Sequence, residues 1–224
     1  MIMGTVEFSK VYKGKKVFIT GHTGFKGSWL ALWLTHLGAR VYGYGLEPPT
    51  NPALFQLLKL DDIIDHQIGD IRDSKQLKKS LAGIKPDIIF HLAAQSLVRA
   101  SYELPFETVA VNTIGTINLM EAVRQLRLST AMVMVTSDKC YENKEWLHAY
   151  RESDPLGGHD PYSASKAAAE IVISSWRNSF FNPDSIEALK KQYGQEGFTI
   201  NAPFESDLLI TVITFGILLD LYFK

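Results

Sequence analysis

The chain has 224 residues, of which 46% are hydrophobic, and its 23 basic and 24 acidic side chains give a formal net charge of -1. This balance gives no electrostatic footprint for nucleic acid, and the length suits one domain or one and a half. The one cysteine, Cys140, excludes an internal disulfide and a cysteine-based metal site, so we expect no metal. Residues 1–15 lack the apolar core of a signal peptide, which predicts a cytoplasmic protein.

Strand-like and helix-like segments alternate along the chain. The predicted strands are residues 17–20, 40–45, 63–68, 87–91 and 131–136, and the predicted helices are residues 25–37, 74–81, 108–126 and 161–180. Continuous apolar strands separated by amphipathic helices predict an α/β fold with a doubly wound parallel sheet. Open sheets of this kind bind ligands beyond the carboxyl ends of their strands, and the polar loops 46–52 and 143–160 lie near such ends.

The first predicted strand runs directly into a turn with glycines at positions 21, 24 and 27. Gly21 permits a tight turn, Gly24 lets the backbone approach a pyrophosphate, and Gly27 lets the following helix pack closely against the strand. The N-terminus of that helix offers free amides and the positive end of its dipole to phosphate. A plain glycine turn is the alternative, but the position between strand and helix favours a Rossmann-type dinucleotide site.

The second predicted strand ends without the acid that usually holds the adenosine ribose. Glu47 comes one or two residues late, and no basic residue stands at the tip for a 2′-phosphate, so the sequence favours NAD over NADP. Asp70, at the end of the third strand, is a candidate to hydrogen-bond the adenine amino group. Alternatively Asp70 caps the next helix, a role that Asp73 fills more naturally.

The fourth predicted strand ends in His91, followed by Leu92, Ala93 and Ala94. Small residues at this position let a strand end lie against a cofactor. We expect His91 to be a packed core histidine rather than a catalyst.

The fifth predicted strand turns polar at its end, where Ser137, Asp138 and Lys139 follow an apolar run. These side chains are candidate proton donors and acceptors, and a solvated corner is the alternative. Further along, Tyr162 and Lys166 are four residues apart in a predicted helix and therefore share one face. We expect the lysine ammonium to lower the pKa of the phenol from about 10, so that it takes a proton from a sugar hydroxyl.

Together these motifs resemble the extended short-chain dehydrogenase/reductase superfamily and, within it, the CDP-glucose 4,6-dehydratases. The resemblance runs from about residue 10 to residue 183 and rests on segments 20–29, 48–50, 136–143 and 154–162. It is specific at Ser137-Asp138-Lys139, because dehydratases acting on other nucleotides usually have Thr-Asp-Glu there.

The resemblance implies a lyase that uses NAD to dehydrate CDP-glucose to CDP-4-keto-6-deoxyglucose by internal hydride transfer, a step of dideoxyhexose, O-antigen and lipopolysaccharide biosynthesis. Tyr162, helped by Lys166 and Ser137, would take the C4 hydroxyl proton, Lys139 would be the base at C5, and Asp138 would protonate the leaving C6 hydroxyl. The implied cofactor-binding residues are Gly21, Thr23, Gly24, Phe25, Gly27, Asp70, Ile71, Leu92, Ala93, Ala94, Tyr162 and Lys166. Asn112 matches the family's structural asparagine, and a helix surface residue is the alternative.

The resemblance ends near residue 183, and we expect two parts: an NAD-binding domain at 1–183 and a divergent tail at 184–224. The substrate-binding C-terminal domain of the family would then be largely missing. The tail ends in an apolar stretch, 208–224, which is short for a membrane span of about 20 residues. A substitute strand, an oligomer contact and the product of a gene interruption are alternative interpretations of this stretch.

Three functions remain open at this point: a CDP-glucose dehydratase, another sugar-nucleotide epimerase or reductase on the same fold, and an inactive NAD-binding remnant. The resemblance also implies a homodimer, formed by a four-helix contact between the helices near 108–126 and 163–180. We expect a nucleotide sugar as the small-molecule partner, and neither a nucleic acid nor a membrane.

Overall fold

The computed structural model describes residues 8–182 and 210–213. In this part of the chain, six strands form one parallel sheet in the order β3-β2-β1-β4-β5-β6. The strands are β1 Lys16–Thr20, β2 Arg40–Gly45, β3 Asp65–Ile68, β4 Ile88–His91, β5 Ala131–Val135 and β6 Ile210–Ile213. The predicted doubly wound sheet is confirmed.

Helices connect the strands and lie on both faces of the sheet. They are α1 Phe8–Tyr12, α2 Phe25–His36, α3 Leu54–Leu57, α4 Ser74–Ile84, α5 Val98–Glu103, α6 Pro105–Val109, α7 Gly115–Leu126 and α8 Pro161–Phe180. Short 3-10 turns cover Leu60–Asp62 and Asp138–Cys140, and a π-helical turn, Ala110–Ile114, joins α6 to α7. The predicted helix 108–126 is therefore one long element with a π turn near its start. No helix in the described residues is both long enough and apolar enough to cross a membrane.

The core has one apolar cluster on each face of the sheet, and β1 contributes to both. Val17 and Ile19 pack into the cluster beneath α2 and α3, whereas Phe18 packs into the cluster beneath α4, α7 and α8. Successive side chains of a strand point to opposite faces, so a continuous apolar run fills both. All three side chains are fully buried or nearly so, which fixes β1 at the centre of the sheet.

Two acidic residues set the starts of two long helices. Asp73 accepts hydrogen bonds from the amides of Lys75 and Gln76 and caps α4, as predicted. Asp160 accepts from the amide of Ser163, and Pro161 supplies the first residue of α8. The alternative in which Asp70 caps the helix is therefore wrong.

The tail contributes one strand to the sheet. Residues 210–213, inside the apolar stretch 208–224, pair in parallel with β5 as β6. This pairing agrees with the interpretation of the stretch as an added strand. The other residues of the predicted tail, 184–209 and 214–224, lie outside the described residues.

Candidate active site

The site lies at the carboxyl ends of β1, β4 and β5, which are neighbours in the sheet. The glycine turn follows β1, Leu92 to Ala94 follow β4, and Ser137 to Lys139 lie just beyond the end of β5. Parallel strands end at the same edge, so three segments that are distant in sequence converge there. The predicted candidates fall on these three segments, on the start of α8, and at Asp70 and Ile71 beyond β3.

Two of the three glycines of the turn have the packing roles that the sequence predicts, and the role of Gly24 at a pyrophosphate stays a prediction. Gly21 has a φ of 77°, and a Cβ there would stand 2.8 Å from the amide nitrogen of Ala93. A Cβ on Gly27 would lie 2.8 Å from the Cα of His22 and closer still to the carbonyl oxygen of Gly21. On Gly24 it would meet only that carbonyl, at 3.4 Å. Two positions therefore serve packing, and Gly24 leaves open space beside the turn.

The start of α2 fits the pyrophosphate of a dinucleotide. Gly24 is the residue before α2, and no side chain of the described residues caps this helix. The first amides of α2 therefore remain available to an anion. Thr23 is turned away from that position, because its hydroxyl donates to the carbonyl of Leu46 at 2.8 Å. The side chain of Phe25 is exposed beside the turn.

The end of β4 is held by a hydrogen-bond network around His91. Nδ1 of His91 lies 2.7 Å from Oγ1 of Thr20, and Nε2 lies 3.0 Å from Oγ1 of Thr116. The amides of Leu92 and Ala93 donate to the same Thr20 hydroxyl. Burial is the main cause that lowers the pKa of His91 to about 3, with a further contribution from Lys166. His91 is a packed core histidine, as predicted.

Asp70 and Ile71 already have partners within the protein. The carboxylate of Asp70 accepts hydrogen bonds from Nε and Nη2 of Arg72, at 2.9 and 2.6 Å, and this pairing holds its pKa below the usual range. Ile71 is buried in the core, where it packs against Gly115. Their roles at the cofactor stay predictions.

A buried histidine in the glycine turn is a feature that the sequence analysis missed. The ring of His22 is inaccessible, lies 5.3 Å from that of Phe55 and 5.4 Å from that of His66, and has no well-formed hydrogen bond at either nitrogen. Burial lowers its pKa to about 4, although the backbone of Tyr44 acts in the opposite direction. The sequence signal for this burial was the glycine at position 43 in β2, because a Cβ there would overlap the His22 ring.

Ser137, Asp138 and Tyr162 meet beyond the end of β5. The hydroxyl of Ser137 donates to Oδ1 of Asp138 at 3.1 Å and accepts from the amide of Lys139 at 3.2 Å, so it caps the following turn. Ser137 is also hydrogen-bonded to Tyr162, which is only 8% exposed. The side chain of Lys139 is exposed on the same turn.

The predicted lowering of the Tyr162 pKa is wrong for this geometry. Burial raises the pKa of Tyr162 above its ordinary value of 10.0, and the neighbouring side chain of Ser137 offsets this only in part. Asp138 and Asp160 raise it further, and Lys166 is not among the groups that shift it. Helical spacing correctly places the two side chains on one face of α8. It gives no information on burial, which determines whether the Tyr162 pKa is raised or lowered.

Lys166 is itself strongly perturbed. It is 6% exposed, and burial lowers its pKa to about 8, with Glu170 raising it and Lys26 lowering it. Lys26 lies in the first turn of α2, between Gly24 and Gly27, and Asp138 in turn influences its pKa. The sequence analysis missed both Lys26 and Glu170. The four-residue spacing of Lys166 and Glu170 was the available signal for Glu170, whereas nothing in the sequence places Lys26 beside Lys166.

Asn112 is a buried structural residue, and its interpretation as a surface residue is wrong. Its side chain accepts from the amide of Gln95 at 2.8 Å and donates to the carbonyl of Gln95 and to Oγ of Ser165. These bonds tie the π turn to the segment after β4 and to α8. Such π turns often mark functional sites in proteins.

Known proteins resemble this chain over most of its length. A family model described as GDP-mannose 4,6 dehydratase matches residues 18–200. The chain is 57% identical, over 176 residues, to the CDP-glucose 4,6-dehydratase of Salmonella typhimurium, covering 79% of this chain and 49% of that protein. It is 32% identical, over 174 residues, to a GDP-mannose 4,6-dehydratase of Vibrio cholerae, covering 74% of this chain and 46% of that protein.

A solved structure of a nucleotide-sugar dehydratase also resembles this chain. The dTDP-glucose 4,6-dehydratase DesIV of Streptomyces venezuelae, solved with NAD and TYD bound, matches with a TM-score of 0.64 and 28% identity, over 73% of this chain and 52% of that one. The chain spans about half the length of the curated relatives it matches. With the family model covering the glycine turn, Ser137 and Tyr162, the chain belongs to the GDP-mannose 4,6 dehydratase family.

Proposed function

We propose that this chain carries the cofactor site and the catalytic tyrosine of an NAD-dependent lyase that dehydrates CDP-glucose to CDP-4-keto-6-deoxyglucose. The observation that carries the chemistry is the hydrogen bond between Ser137 and Tyr162, beyond β5 and beside the glycine turn. The 57% identity to the Salmonella typhimurium CDP-glucose 4,6-dehydratase supports the choice of substrate.

The open space at Gly24 and the uncapped start of α2 would hold the pyrophosphate of NAD. When bound, NAD would supply the acceptor for the hydride that the sugar loses at C4 and the donor of the hydride that it gains at C6. The absence of a basic residue at the tip of β2 supports NAD rather than NADP. Gly21 and Gly27 contribute indirectly, since they let the turn pack against Ala93 and His22.

Tyr162 is the proposed base at the C4 hydroxyl, and Ser137 orients it. Because burial raises the pKa of the phenol in this geometry, it needs a nearby positive charge before it can lose its proton. Lys166, four residues on along α8, is the proposed source of that positive charge. The proton of the C4 hydroxyl then passes to the phenolate oxygen.

Asp138 and Lys139 are the proposed proton carriers for the loss of water. The 4-keto group acidifies the C5 proton, which Lys139 would remove, while Asp138 would protonate the departing C6 hydroxyl. Two separate groups are needed because one proton leaves carbon as another reaches oxygen. The proposal for Asp138 is supported by its hydrogen bond from Ser137 and by its influence on the pKa of Tyr162.

A homodimer is the proposed assembly, formed by the long helices near 108–126 and 163–180. These helices and the adjoining α5 and α6 carry exposed large apolar side chains: Tyr102, Phe106, Val109, Ile114 and Ile171. A second copy of the chain would cover them in a four-helix contact. We further propose a cytoplasmic role in the synthesis of dideoxyhexoses for O-antigen.

The test is mass spectrometry of CDP-glucose incubated with the purified full chain and NAD. Loss of one water from the nucleotide sugar is the expected result, and Tyr162→Phe should abolish it while the protein stays folded. If the folded wild-type chain binds NAD but leaves CDP-glucose unchanged, the inactive NAD-binding alternative replaces the proposal. A product that keeps its water would instead favour an epimerase or reductase.

A further inference from the structure

Three ionisable side chains follow one another on a single face of α8. Tyr162, Lys166 and Glu170 are spaced by four residues, and Glu170 is the one acid in this 20-residue helix. Four-residue spacing brings neighbouring side chains together over successive turns. Tyr162 and Lys166 belong to the proposed reaction, whereas Glu170 has no part in it so far.

Glu170 is anchored to the strand that leads into the site. The hydroxyl of Thr136 donates a hydrogen bond to Oε1 of Glu170, and Thr136 is buried immediately before Ser137. Burial raises the pKa of Glu170, while Thr136 and Lys166 both lower it. A partly buried carboxylate with two such partners has a fixed position relative to the end of β5.

The charges that face Lys166 come from several elements. Glu170 on α8 raises its pKa and so does Cys140 on the turn after β5, whereas Lys26 on α2 lowers it and burial lowers it most. His91 on β4 also senses Lys166, since the lysine lowers its pKa. The Cys140 thiol has a pKa raised to about 12 and stays neutral at neutral pH. Among these groups, Glu170 is therefore the one whose negative charge counteracts the lowering of the Lys166 pKa by burial.

We propose that Glu170 is a positioning residue whose carboxylate, anchored by Thr136, keeps the buried Lys166 in its ammonium form on the helix face that carries Tyr162. This inference rests on the proposed function for its catalytic consequence, because Lys166 is there to supply charge to the phenol. The charge state of Lys166 can nevertheless be measured without turnover. Failure of the dehydratase proposal and failure of this one are thus separable.

The direct test is an NMR titration of lysine-labelled full-length chain, with the Lys166 signal assigned by its loss in Lys166→Arg. In Glu170→Gln, which keeps the shape but removes the charge, the midpoint of Lys166 should fall by about one pH unit. Glu170→Asp keeps the negative charge but moves it away by one methylene, so the midpoint of Lys166 should lie between those of the wild type and Glu170→Gln. Asp61→Asn removes a charge at an exposed carboxyl and should leave the midpoint unchanged.

Activity supplies the second readout. With CDP-glucose and NAD, the alkaline limb of the pH profile of Glu170→Gln should move to lower pH by the same amount, with little loss on the acid side. A Lys166 midpoint unchanged in both Glu170 variants would overturn the proposal. A loss of activity by the same factor at every pH would also overturn it, since that is the mark of a merely structural residue.

Discussion

Replacing single glycines of the turn after β1 separates folding from cofactor binding. In Gly27→Ala the new methyl group would stand 2.8 Å from the Cα of His22 and 2.9 Å from the carbonyl carbon of Gly21. Both neighbours are backbone atoms, which cannot move aside as a flexible side chain does. Overpacking of this kind costs about 3 kcal/mol, which for a chain of this length lowers the melting temperature by ~6–12 °C.

Gly24→Ala is the matched control. Gly24 has φ -75° and ψ 167°, an extended conformation open to any residue, and the new methyl group would meet only the carbonyl oxygen of Gly21 at 3.4 Å. The stability should therefore change by less than about 0.5 kcal/mol. The methyl group nevertheless fills the space beside the start of α2, so we expect NAD affinity to fall at least ~10-fold, equivalent to about 1.4 kcal/mol.

Thermal unfolding by circular dichroism and NAD titration by calorimetry measure the two effects. The account requires Gly27→Ala to melt well below Gly24→Ala, and Gly24→Ala to melt like wild type but bind NAD weakly. Equal melting temperatures for the two variants would refute the packing argument for Gly27. Unchanged NAD affinity in Gly24→Ala would refute the placement of the pyrophosphate.

Three further perturbations test other parts of the account. The pKa of His22 falls from 6.5 to about 4 on folding, so the stability it contributes is complete above pH 6.5 and declines as the pH falls toward 4. Urea unfolding should show ~2 kcal/mol of stability lost by about pH 5 in the wild type but not in His22→Gln. Equal acid sensitivity of the two proteins would contradict the burial argument. Lys139→Ala should stop water loss yet leave C4 oxidation detectable as NADH absorbance, whereas full dehydration would exclude Lys139 as the C5 base. Phe106→Glu should dissociate the proposed dimer in analytical ultracentrifugation. Leu147→Glu, at an exposed loop residue, should leave the dimer intact. An intact dimer in Phe106→Glu would place the contact elsewhere.

Sequence patterns predicted the features that depend on local order. The five strands 17–20 to 131–136 are found with small changes at their ends, because apolar runs bounded by turns are a local signal. The third strand starts at Asp65 rather than at residue 63, because the amides of Ile63 and Ile64 still donate to the carbonyl of Leu60 in the preceding turn. The packing roles of Gly21 and Gly27 were also predictable, because each follows from its position between a strand and a helix.

Burial and approach between distant segments were not predictable in the same way. The sign of the Tyr162 pKa shift depends on how deeply α8 packs, and the influence of Lys26 on the Lys166 pKa depends on how closely α2 approaches α8. His22 could be buried only because Gly43 of β2 leaves room for its ring. Strand β6 was one of three interpretations of an apolar stretch, since composition alone does not select a pairing partner.

The central claim is that Tyr162 and the glycine turn together carry an internal hydride transfer on CDP-glucose. The most direct test uses CDP-glucose deuterated at C4, incubated with the full chain and NAD, and mass spectrometry with fragmentation of the product. The account predicts loss of one light water, with the deuterium retained and located at C6. A dehydrated product without deuterium, or a deuterated product that keeps its water, would contradict it.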